Sequence, residues 1–305
     1  MTERLRVGTR PSPLALAQTE LVLRALRRTA PQVRFETVPL RTAGDRTHQA
    51  TGTLDFTDEI DRRLGRGEID LAVHSAKDLP ATVARGLAVA AYPRRGDPRD
   101  CLILRRPGSL ESLRERPRIG SSSLRRKAQL LAARPDAVVV PIRGNIGTRI
   151  RQIDELGLDG IVLAAAGVAR LGESGRASAY LPVSRWLPAP GQGALAVEVR
   201  AGDRALRRLV AAVDHDPTRA AVEAERAVVA TLGGDCNLPL GALARPSAGS
   251  LRIRAALYSP DGRVRCFAER SGPVSRSRSL GADLGRRLAR IAGPAGLLPP
   301  RAKAP

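Results

Sequence analysis

The chain has 305 residues, of which 43% are hydrophobic and only 2% aromatic, so its interior must be built from aliphatic side chains. Its formal net charge of +21 points first to nucleic acid, but seven scattered aromatic residues supply no base-stacking surface. Because the arginines also mix with acidic residues along the predicted helices, the composition favours an acidic small molecule over nucleic acid as the principal ligand.

A strand, a capped helix and a second strand open the chain. Residues 4–8 alternate in polarity like a strand, and Ser12 before Pro13 is typical of a helix N-cap. The predicted helix runs from residue 13 to about 28, and a strand follows over 33–40. Four residues form the predicted apolar face of the helix, namely Leu14, Ala17, Leu21 and Ala25.

Residues 41–55 are polar and show no helical or strand period, which predicts a functional or mobile loop and a candidate lid. After a short helix that ends near Leu64, residues 69–80 read as a strand that finishes in a polar cluster. Ligands of open α/β sheets bind beyond the carboxyl ends of strands, so Asp78 is the foremost catalytic candidate. The alternatives are that Asp78 only caps a turn, and that His74 is a structural histidine with satisfied hydrogen bonds.

The pattern then starts again after a linker at residues 93–99. Three pieces of the second half repeat the first half in the same order, which predicts two tandem βαβ units. The pairs are 118–123 with 6–12, 138–143 with 37–41, and 158–166 with 68–75.

A third segment follows the proline- and glycine-rich stretch 182–193. Residues 194–200 are strand-like, and Asp216 with Pro217 opens a helix that runs to about Leu232. The remainder predicts a small α+β domain. It contains strands at 238–244, 251–258 and 263–268 and a helix at 280–291.

Three helix starts carry arginine, although cations are mildly unfavourable beside the positive end of a helix dipole. A bound anion would explain this placement, because backbone N–H groups and bidentate guanidinium groups bind carboxylates and phosphates well. The alternative is that an arginine-rich chain places arginine everywhere. The segment 143–149 lacks the Gly-Lys-Ser/Thr of a phosphate-binding loop, which favours carboxylate. The arginines are Arg10, then Arg125 and Arg126 after Ser123, then Arg149 and Arg151 after Thr148.

The chain has three cysteines, Cys101, Cys236 and Cys266. Their number is odd and no two of them form a Cys-x-x-Cys motif, so neither a disulfide framework nor a metal site is expected. Cys236 follows Gly233-Gly234-Asp235 in a predicted loop, where it is either an accessible reactive thiol or a small buried hydrophobe. The N-terminus lacks an apolar segment and no run of 18 apolar residues occurs, so we expect a cytoplasmic protein.

Five motifs in order closely resemble the hydroxymethylbilane synthases, also called porphobilinogen deaminases. The resemblance spans about residues 5 to 270, and a sixth stretch, Pro190-Gly-Gln-Gly193, resembles another motif of that family. The five motifs are Arg10-Pro-Ser-Pro-Leu-Ala-Leu16, His74-Ser-Ala-Lys-Asp-Leu-Pro80, Ser122-Ser-Leu-Arg-Arg126, Arg143-Gly-Asn-Ile-Gly-Thr-Arg149, and Cys236 before Leu238-Pro-Leu-Gly241.

The resemblance implies an α/β fold with two periplasmic-binding-protein-like (type II) βαβ domains around a cleft and a smaller α+β C-terminal domain. Domain 1 would comprise residues 1–94 and 193–212 and would carry the catalytic aspartate and the lid. Domain 2 would comprise 99–188 and bind carboxylates through arginine, and domain 3 would comprise 216–295 and carry the cofactor cysteine. A cytoplasmic monomer acting on a small molecule, without nucleic acid or membrane, is expected.

The resemblance also implies a transferase of tetrapyrrole (porphyrin and heme) biosynthesis. Such an enzyme condenses four porphobilinogen molecules head to tail with loss of ammonia, and hydrolysis then releases hydroxymethylbilane. The chain grows on a covalently attached dipyrromethane cofactor, here expected on Cys236 through a thioether, with Asp78 as the catalytic carboxylate. The resemblance assigns cofactor binding to Lys77, Ser122, Arg125, Arg126 and Arg143, and substrate binding to Arg10, Ser12, Ser123, Arg149, Arg170 and Gln192.

Two positions depart from the family pattern. Thr53 stands where the lid usually has lysine, and Asp235 stands where a glycine or similarly small residue precedes the cysteine. An adjacent carboxylate disfavours a thiolate, so Asp235 is expected to slow cofactor attachment. Two other functions remain open at this point: a non-catalytic anion-binding module, which has no need for Asp78 or Cys236, and a nucleic-acid binder.

Overall fold

A computed structural model describes residues 4–42, 57–233 and 238–298. The predicted lid beyond residue 42, including Thr53, therefore lies outside the described residues, and so do Asp235 and Cys236. No helix within these three ranges is both long enough and apolar enough to cross a membrane.

The regular elements follow one another in three groups. The first group is β1 (Arg4–Thr9), α1 (Pro13–Thr29), β2 (Arg34–Pro39), α2 (Asp58–Gly65), β3 (Leu71–Ser75) and β4 (Leu87–Ala91). The second is β5 (Asp100–Leu104), β6 (Arg118–Gly120), α3 (Leu124–Ala133), β7 (Val138–Val140), α4 (Ile146–Glu155), β8 (Gly160–Ala164), α5 (Ala165–Arg170) and β9 (Ala179–Tyr180). The third is β10 (Leu195–Arg200), α6 (Arg204–Ala211), α7 (Asp216–Thr231), β11 (Leu240–Ser247), β12 (Ser250–Tyr258), β13 (Arg265–Pro273) and α8 (Ser277–Ala292).

Two five-stranded sheets have the same internal order, which explains the repeat in the sequence. The first sheet runs β2-β1-β3-β10-β4 and the second runs β7-β6-β8-β5-β9. In each, the first three strands are parallel, and the fourth, β10 or β5, pairs antiparallel with the third. The repeated pieces are thus equivalent strands, and the predicted class, two α/β domains with a smaller α+β domain, is confirmed.

Two linker segments cross between the sheets because the chain leaves the first sheet after β4 and returns to it with β10. Residues 92–99 lead from β4 into the second sheet, and residues 181–194 lead from β9 back into the first. They touch each other where the Gly96 amide donates to the carbonyl oxygen of Gly193 at 3.1 Å. A β-carbon at Gly193 would lie 2.7 Å from the Gly96 oxygen, so the crossing requires glycine at position 193.

The predicted apolar face of α1 is wrong. Leu21 is 45% exposed, and the buried side of the helix instead contains Thr19, Val22, Leu23 and Leu26. These four residues also have helical spacing, and the three apolar ones pack on β1 and β3. Because Thr19 is polar, this buried set of residues does not form a continuous apolar pattern in the sequence. The four residues of the overturned prediction are Leu14, Ala17, Leu21 and Ala25.

The helix predicted to begin after Thr148 begins three residues earlier. Asn145 is its N-cap, and the Asn145 side-chain oxygen accepts a hydrogen bond from the Thr148 amide at 2.9 Å. Asparagine is a strong N-cap residue, so Asn145 sets the start of α4 and places Arg149 at the end of the first turn.

The C-terminal domain is an antiparallel meander, β11-β12-β13, with α7 and α8 packed on one face. Its core is aliphatic, as the composition requires, and Leu251, Leu257, Leu284 and Leu288 are fully buried. The two helices approach closely at Gly281 of α8.

Replacing Gly281 with alanine is expected to destabilise this domain. A β-carbon at Gly281 would overlap the carbonyl oxygen of Ala224 in α7 and lie 2.9 Å from the β-carbon of Ala227. Overpacking of this kind costs about 1–3 kcal/mol, against a helix-propensity gain of about 1 kcal/mol. We expect a net loss in the free energy of unfolding, measured by urea titration. The control is Gly65→Ala in α2, where nothing lies within 4 Å of the added carbon. Equal stability of the two variants would contradict the close packing of α7 and α8.

Candidate active site

Asp78 lies at the carboxyl end of β3, in a short 3₁₀ turn formed by Ala76–Asp78. It lines a cavity of about 50 Å³ together with Arg10 and Ser12, which precede α1, and with His74 and Ser75. The strand-end position predicted for Asp78 is therefore present, and the first helix start points its residues into the same space. This brings a carboxylate, a guanidinium group and two hydroxyl groups together.

Ser12 and Gln18 fix the start of α1 at this cavity. The Ser12 hydroxyl accepts from the Ala15 amide at 3.2 Å, which is the predicted N-cap bond. The Gln18 side-chain oxygen accepts from the Ser75 hydroxyl at 3.1 Å and so ties the helix to the end of β3. The positive end of α1 is thereby held beside Asp78.

Lys77 and Arg149 extend the site from both sides. Burial lowers the pKa of Lys77; the neighbouring Asp78 carboxylate opposes this effect, and the charge of Arg126 adds to it. Burial likewise lowers the pKa of Arg149, with a further decrease from Arg126 and an opposing effect of Asp78. Lys77 follows β3 of the first sheet, whereas Arg126 and Arg149 lie on α3 and α4 of the second half. The charges around Asp78 therefore come from both halves of the chain.

Ser122 and Ser123 hold the second half of the cleft in shape. The Ser122 hydroxyl donates to the carbonyl oxygen of Ile142 at 2.7 Å and accepts from the Ile142 amide at 3.0 Å. The Ser123 hydroxyl is the N-cap of α3 and accepts from the Arg126 amide at 3.4 Å. Both serines thus have structural partners. Arg143 is exposed at the loop before α4.

Asp100 is the buried partner of the arginine pair on α3. One Asp100 carboxylate oxygen accepts from Nη1 of Arg125 at 2.7 Å and from the Trp186 indole at 2.8 Å. The other accepts from Nη2 of Arg126 at 2.7 Å and from the Gln192 amide at 3.0 Å. Burial alone would raise the pKa of Asp100, but the two guanidinium charges outweigh it and hold that pKa well below its usual range. Sequence reasoning missed Asp100, because its partners lie 25 to 92 residues away along the chain.

Gln192 and Arg170 lie where the two linkers cross. The Gln192 amide is buried and also donates to the carbonyl oxygen of Pro98 at 2.8 Å. Nη2 of Arg170 donates to the carbonyl oxygen of Gly193 at 2.6 Å, and burial lowers the pKa of Arg170 to about 10. These two residues, predicted to bind substrate, therefore also bind the linkers to the second domain.

Helix α7 of the third domain holds the same crossing and the turn after Asp78. Its fully buried Glu225 accepts from Nη1 of Arg95 at 2.7 Å and from the Gly191 amide at 2.6 Å. The next residue, Arg226, donates to the carbonyl oxygens of Pro80 at 2.7 Å and Ala81 at 3.2 Å. Sequence reasoning missed both residues, since an adjacent Glu-Arg pair on a polar helix carries no signal of its own.

His74 does not have the satisfied hydrogen bonds expected of it. Its Nε2 lies 3.4 Å from Oε2 of Glu198, and neither atom has a hydrogen-bond partner among the described residues. Asp61 lies beside them, and burial together with the Glu198 carboxylate raises the pKa of Asp61 to about 6. A buried acid–histidine cluster thus lies directly behind the cavity of Asp78.

Comparison with known proteins identifies the family. Residues 5–208 match the family described as "Porphobilinogen deaminase, dipyromethane cofactor binding domain", and residues 219–290 match "Porphobilinogen deaminase, C-terminal domain". A porphobilinogen deaminase of Thermus thermophilus is 46% identical over 281 residues, covering 92% of this chain and 93% of the relative. That of Desulforudis audaxviator is 45% identical over 293 residues, covering 94% and 95%.

The chain belongs to the porphobilinogen deaminase family. Porphobilinogen deaminases are transferases of tetrapyrrole biosynthesis that polymerise porphobilinogen into hydroxymethylbilane, so the predicted family, activity and cofactor class are confirmed. Among solved structures, a TRAP periplasmic solute binding protein from Desulfovibrio salexigens is similar, with a TM-score of 0.44 and 10% identity over 70% of this chain and 73% of that chain.

The residues that the porphobilinogen deaminase motifs assign to the site fall into separate groups in the structure. Lys77 and Arg149 interact electrostatically with Asp78 and with Arg126, and Ser12 and Arg10 share the cavity of Asp78. In contrast, Arg125 and Gln192 point into the buried network around Asp100. The cofactor cysteine predicted at position 236 lies outside the described residues.

Proposed function

We propose that Asp78 is the catalytic carboxylate with which this chain condenses four porphobilinogen molecules and then hydrolyses the product to release hydroxymethylbilane. The observation that carries this proposal is that Asp78 lines a cavity with Arg10 and Ser12 and interacts electrostatically with Lys77 and Arg149, which come from the two halves of the chain. Porphobilinogen carries an acetate, a propionate and an aminomethyl group. A site with one carboxylate among several cations suits a substrate that is acidic at its edge and becomes cationic at its reacting carbon.

Asp78 has a defined task in this scheme. Loss of ammonia from the aminomethyl group leaves a cationic azafulvene, which a nearby carboxylate stabilises electrostatically. Asp78 also accepts the pyrrole N–H hydrogen bond and assists proton transfer as the new carbon–carbon bond forms. The cations around it bind the substrate carboxylates and orient the ring. Because one site must accept a product that lengthens by one ring in each cycle, movement of the domains or of the predicted lid is expected.

The other binding roles follow from position and chemistry. Arg126 uses Nε and Nη2 for Asp100, and its Nη1 makes no hydrogen bond among the described residues, so Nη1 is the atom offered to a carboxylate. Arg125 acts on the site through the Asp100 network. We assign cofactor binding to Lys77, Ser122, Arg125, Arg126 and Arg143, and substrate binding to Arg10, Ser12, Ser123, Arg149, Arg170 and Gln192.

The cation-rich cleft fits an acidic dipyrromethane, since Lys77 and Arg149 both lie in the positive field of Arg126. When bound, the cofactor supplies the pyrrole carbon to which the first substrate ring is joined. We propose Cys236 as its attachment point. The Cys101 and Cys266 thiols are buried in β5 and β13, and burial raises the pKa of Cys101 to about 11. Neither is therefore suited to act as a nucleophile.

We propose three domains: 1–94 with 193–212, then 99–188, then 216–295. The strands of each sheet lie within one of these sets. We further propose a cytoplasmic monomer that binds no nucleic acid. The free thiols of Cys101 and Cys266 support a reducing compartment. Many arginines pair with acidic residues of the chain, such as Glu36, Glu225 and Glu269. Their charge is therefore not available to a nucleic acid, which supports a small acidic ligand instead.

The intact mass of the denatured protein, followed by peptide mapping, tests this function. We expect a dipyrromethane adduct on the peptide that contains Cys236, with the peptides of Cys101 and Cys266 unmodified as internal controls. A Cys236 thiol that stays unmodified after incubation with porphobilinogen would contradict the proposal, and a non-catalytic anion-binding module would then be the better description.

A further inference from the structure

Three side chains behind the active-site cavity form a cluster that the proposed reaction does not use. They are Asp61 on α2, His74 on β3 and Glu198 on β10, and we call them the acid–histidine cluster. Strand alternation puts His74 and Glu198 on the sheet face opposite Val73 and Val197, which pack on α1. Ala72 and Ala196 lie between them on the same face, so small side chains leave room for the cluster.

The polar atoms of the cluster converge without satisfying one another. One nitrogen or oxygen of each residue lies within 4.8 Å of the other two. His74 is 6% exposed and Glu198 is 1% exposed. Oδ1 of Asp61, Nε2 of His74 and Oε2 of Glu198 are all buried and have no hydrogen-bond partner among the described residues. Buried polar atoms without partners are rare and costly.

The charge of the cluster is also unbalanced. Other buried acids of this arginine-rich chain are neutralised by guanidinium groups: Asp100 by two of them and Glu225 by one. In the described part of the chain no lysine or arginine pairs with Asp61 or Glu198. When both carboxylates are ionised, the cluster keeps a net negative charge even if the imidazole is protonated. It then needs one more cation than the described residues supply.

We propose that Asp61, His74 and Glu198 bind one divalent transition-metal ion, with zinc as the best match. Two ligand atoms about 2.1 Å from a tetrahedral zinc ion are about 3.4 Å apart, which equals the His74–Glu198 separation of 3.4 Å. Imidazole and carboxylate groups are both zinc ligands, and three protein ligands leave a fourth position open. His74 also lines the cavity that contains Asp78, so the cluster borders that cavity.

Zinc titration of the holoenzyme after removal of metal by chelation tests the site. We expect one zinc ion to bind by equilibrium dialysis and metal analysis, and the melting temperature to rise with zinc. Asp61→Asn, His74→Gln and Glu198→Gln should each weaken zinc binding at least about tenfold, since even residues behind the ligands contribute about 10–100-fold. The control is His215→Asn, which changes a histidine outside the cluster and keeps a helix-capping residue.

All variants keep the same cysteines, so zinc bound to a thiolate would appear equally in each and would not mimic the expected loss. Cobalt gives a second readout, because a tetrahedral cobalt site absorbs visible light and the absorption should disappear in the three cluster variants. Unchanged zinc affinity in those variants, or absence of zinc binding to the parent protein, would overturn the proposal. A shared proton would then be the cation that balances the cluster.

Discussion

Asp78→Asn is expected to lower kcat at least about 100-fold and to leave the fold intact. Removing a general acid–base group typically costs about 10²–10⁴-fold, and asparagine keeps the size of the side chain but neither its charge nor its proton-accepting capacity. The charges of Lys77 and Arg149 would then face the reacting carbon without a counter-charge. Hydroxymethylbilane formation per enzyme is the measurement, with the melting temperature as the check on folding.

The matched control for Asp78 is Asp154→Asn. Asp154 lies on α4, is 75% exposed and pairs with Arg105 alone among the described residues, so its replacement should leave turnover unchanged. Near-normal turnover in Asp78→Asn would remove the catalytic role and leave the turn-capping interpretation of this residue. A parallel fall in both variants would point to an effect on stability.

Asp100→Asn is expected to lower the free energy of unfolding by about 3–5 kcal/mol, the usual cost of breaking a buried ion pair from one side. The change leaves Arg125 and Arg126, which are 4% and 7% exposed, without their counter-charge. Urea unfolding measures the loss. The control is Glu36→Gln, whose partner Arg4 is largely exposed, so that a loss of no more than about 1 kcal/mol is expected. Equal losses in the two variants would contradict the central role of Asp100.

The same variant has a defined pH dependence. The arginines hold the pKa of Asp100 below its unfolded value of about 3.9, so its contribution to stability is present above that pH. It is lost as the pH falls through the lower pKa of the folded state. We therefore expect the stability difference between the parent protein and Asp100→Asn to be constant at neutral pH and to shrink below about pH 4. A difference that stays constant throughout acid titration would show that the loss is not electrostatic.

The architecture was predictable because helices and strands depend on the spacing of apolar residues over short stretches of sequence. Strand alternation and N-caps lie within a few residues, so the repeat of the two halves and the strand-end position of Asp78 could be read directly. The network around Asp100 could not, since Trp186 and Gln192 are 86 and 92 residues distant. The prediction of the buried face of α1 was wrong for a related reason. Two sets of residues in α1 have helical spacing, and only tertiary packing determines which set is buried.

The motifs that resemble the family predicted residue types better than they predicted contacts. Arg125 is in the expected place, yet its guanidinium group is occupied by Asp100 and the carbonyl oxygen of Leu187. Likewise, His74 has the buried position expected of a structural residue, but its Nε2 has no hydrogen-bond partner in the part of the chain that the structure describes. A sequence shows which group is available, whereas burial and neighbouring charge determine what remains for a ligand.

The paired crossing of the two linkers limits how the cleft can open. A single connection would let the first two domains swivel about any axis, whereas two connections that touch at Gly96 and Gly193 leave essentially one rotational degree of freedom. Asp100, Gln192 and Glu225 lie near that axis, where displacement during rotation is smallest. A rotation about this axis would therefore leave the contacts of these three residues largely in place while it widens the cleft for each added pyrrole ring.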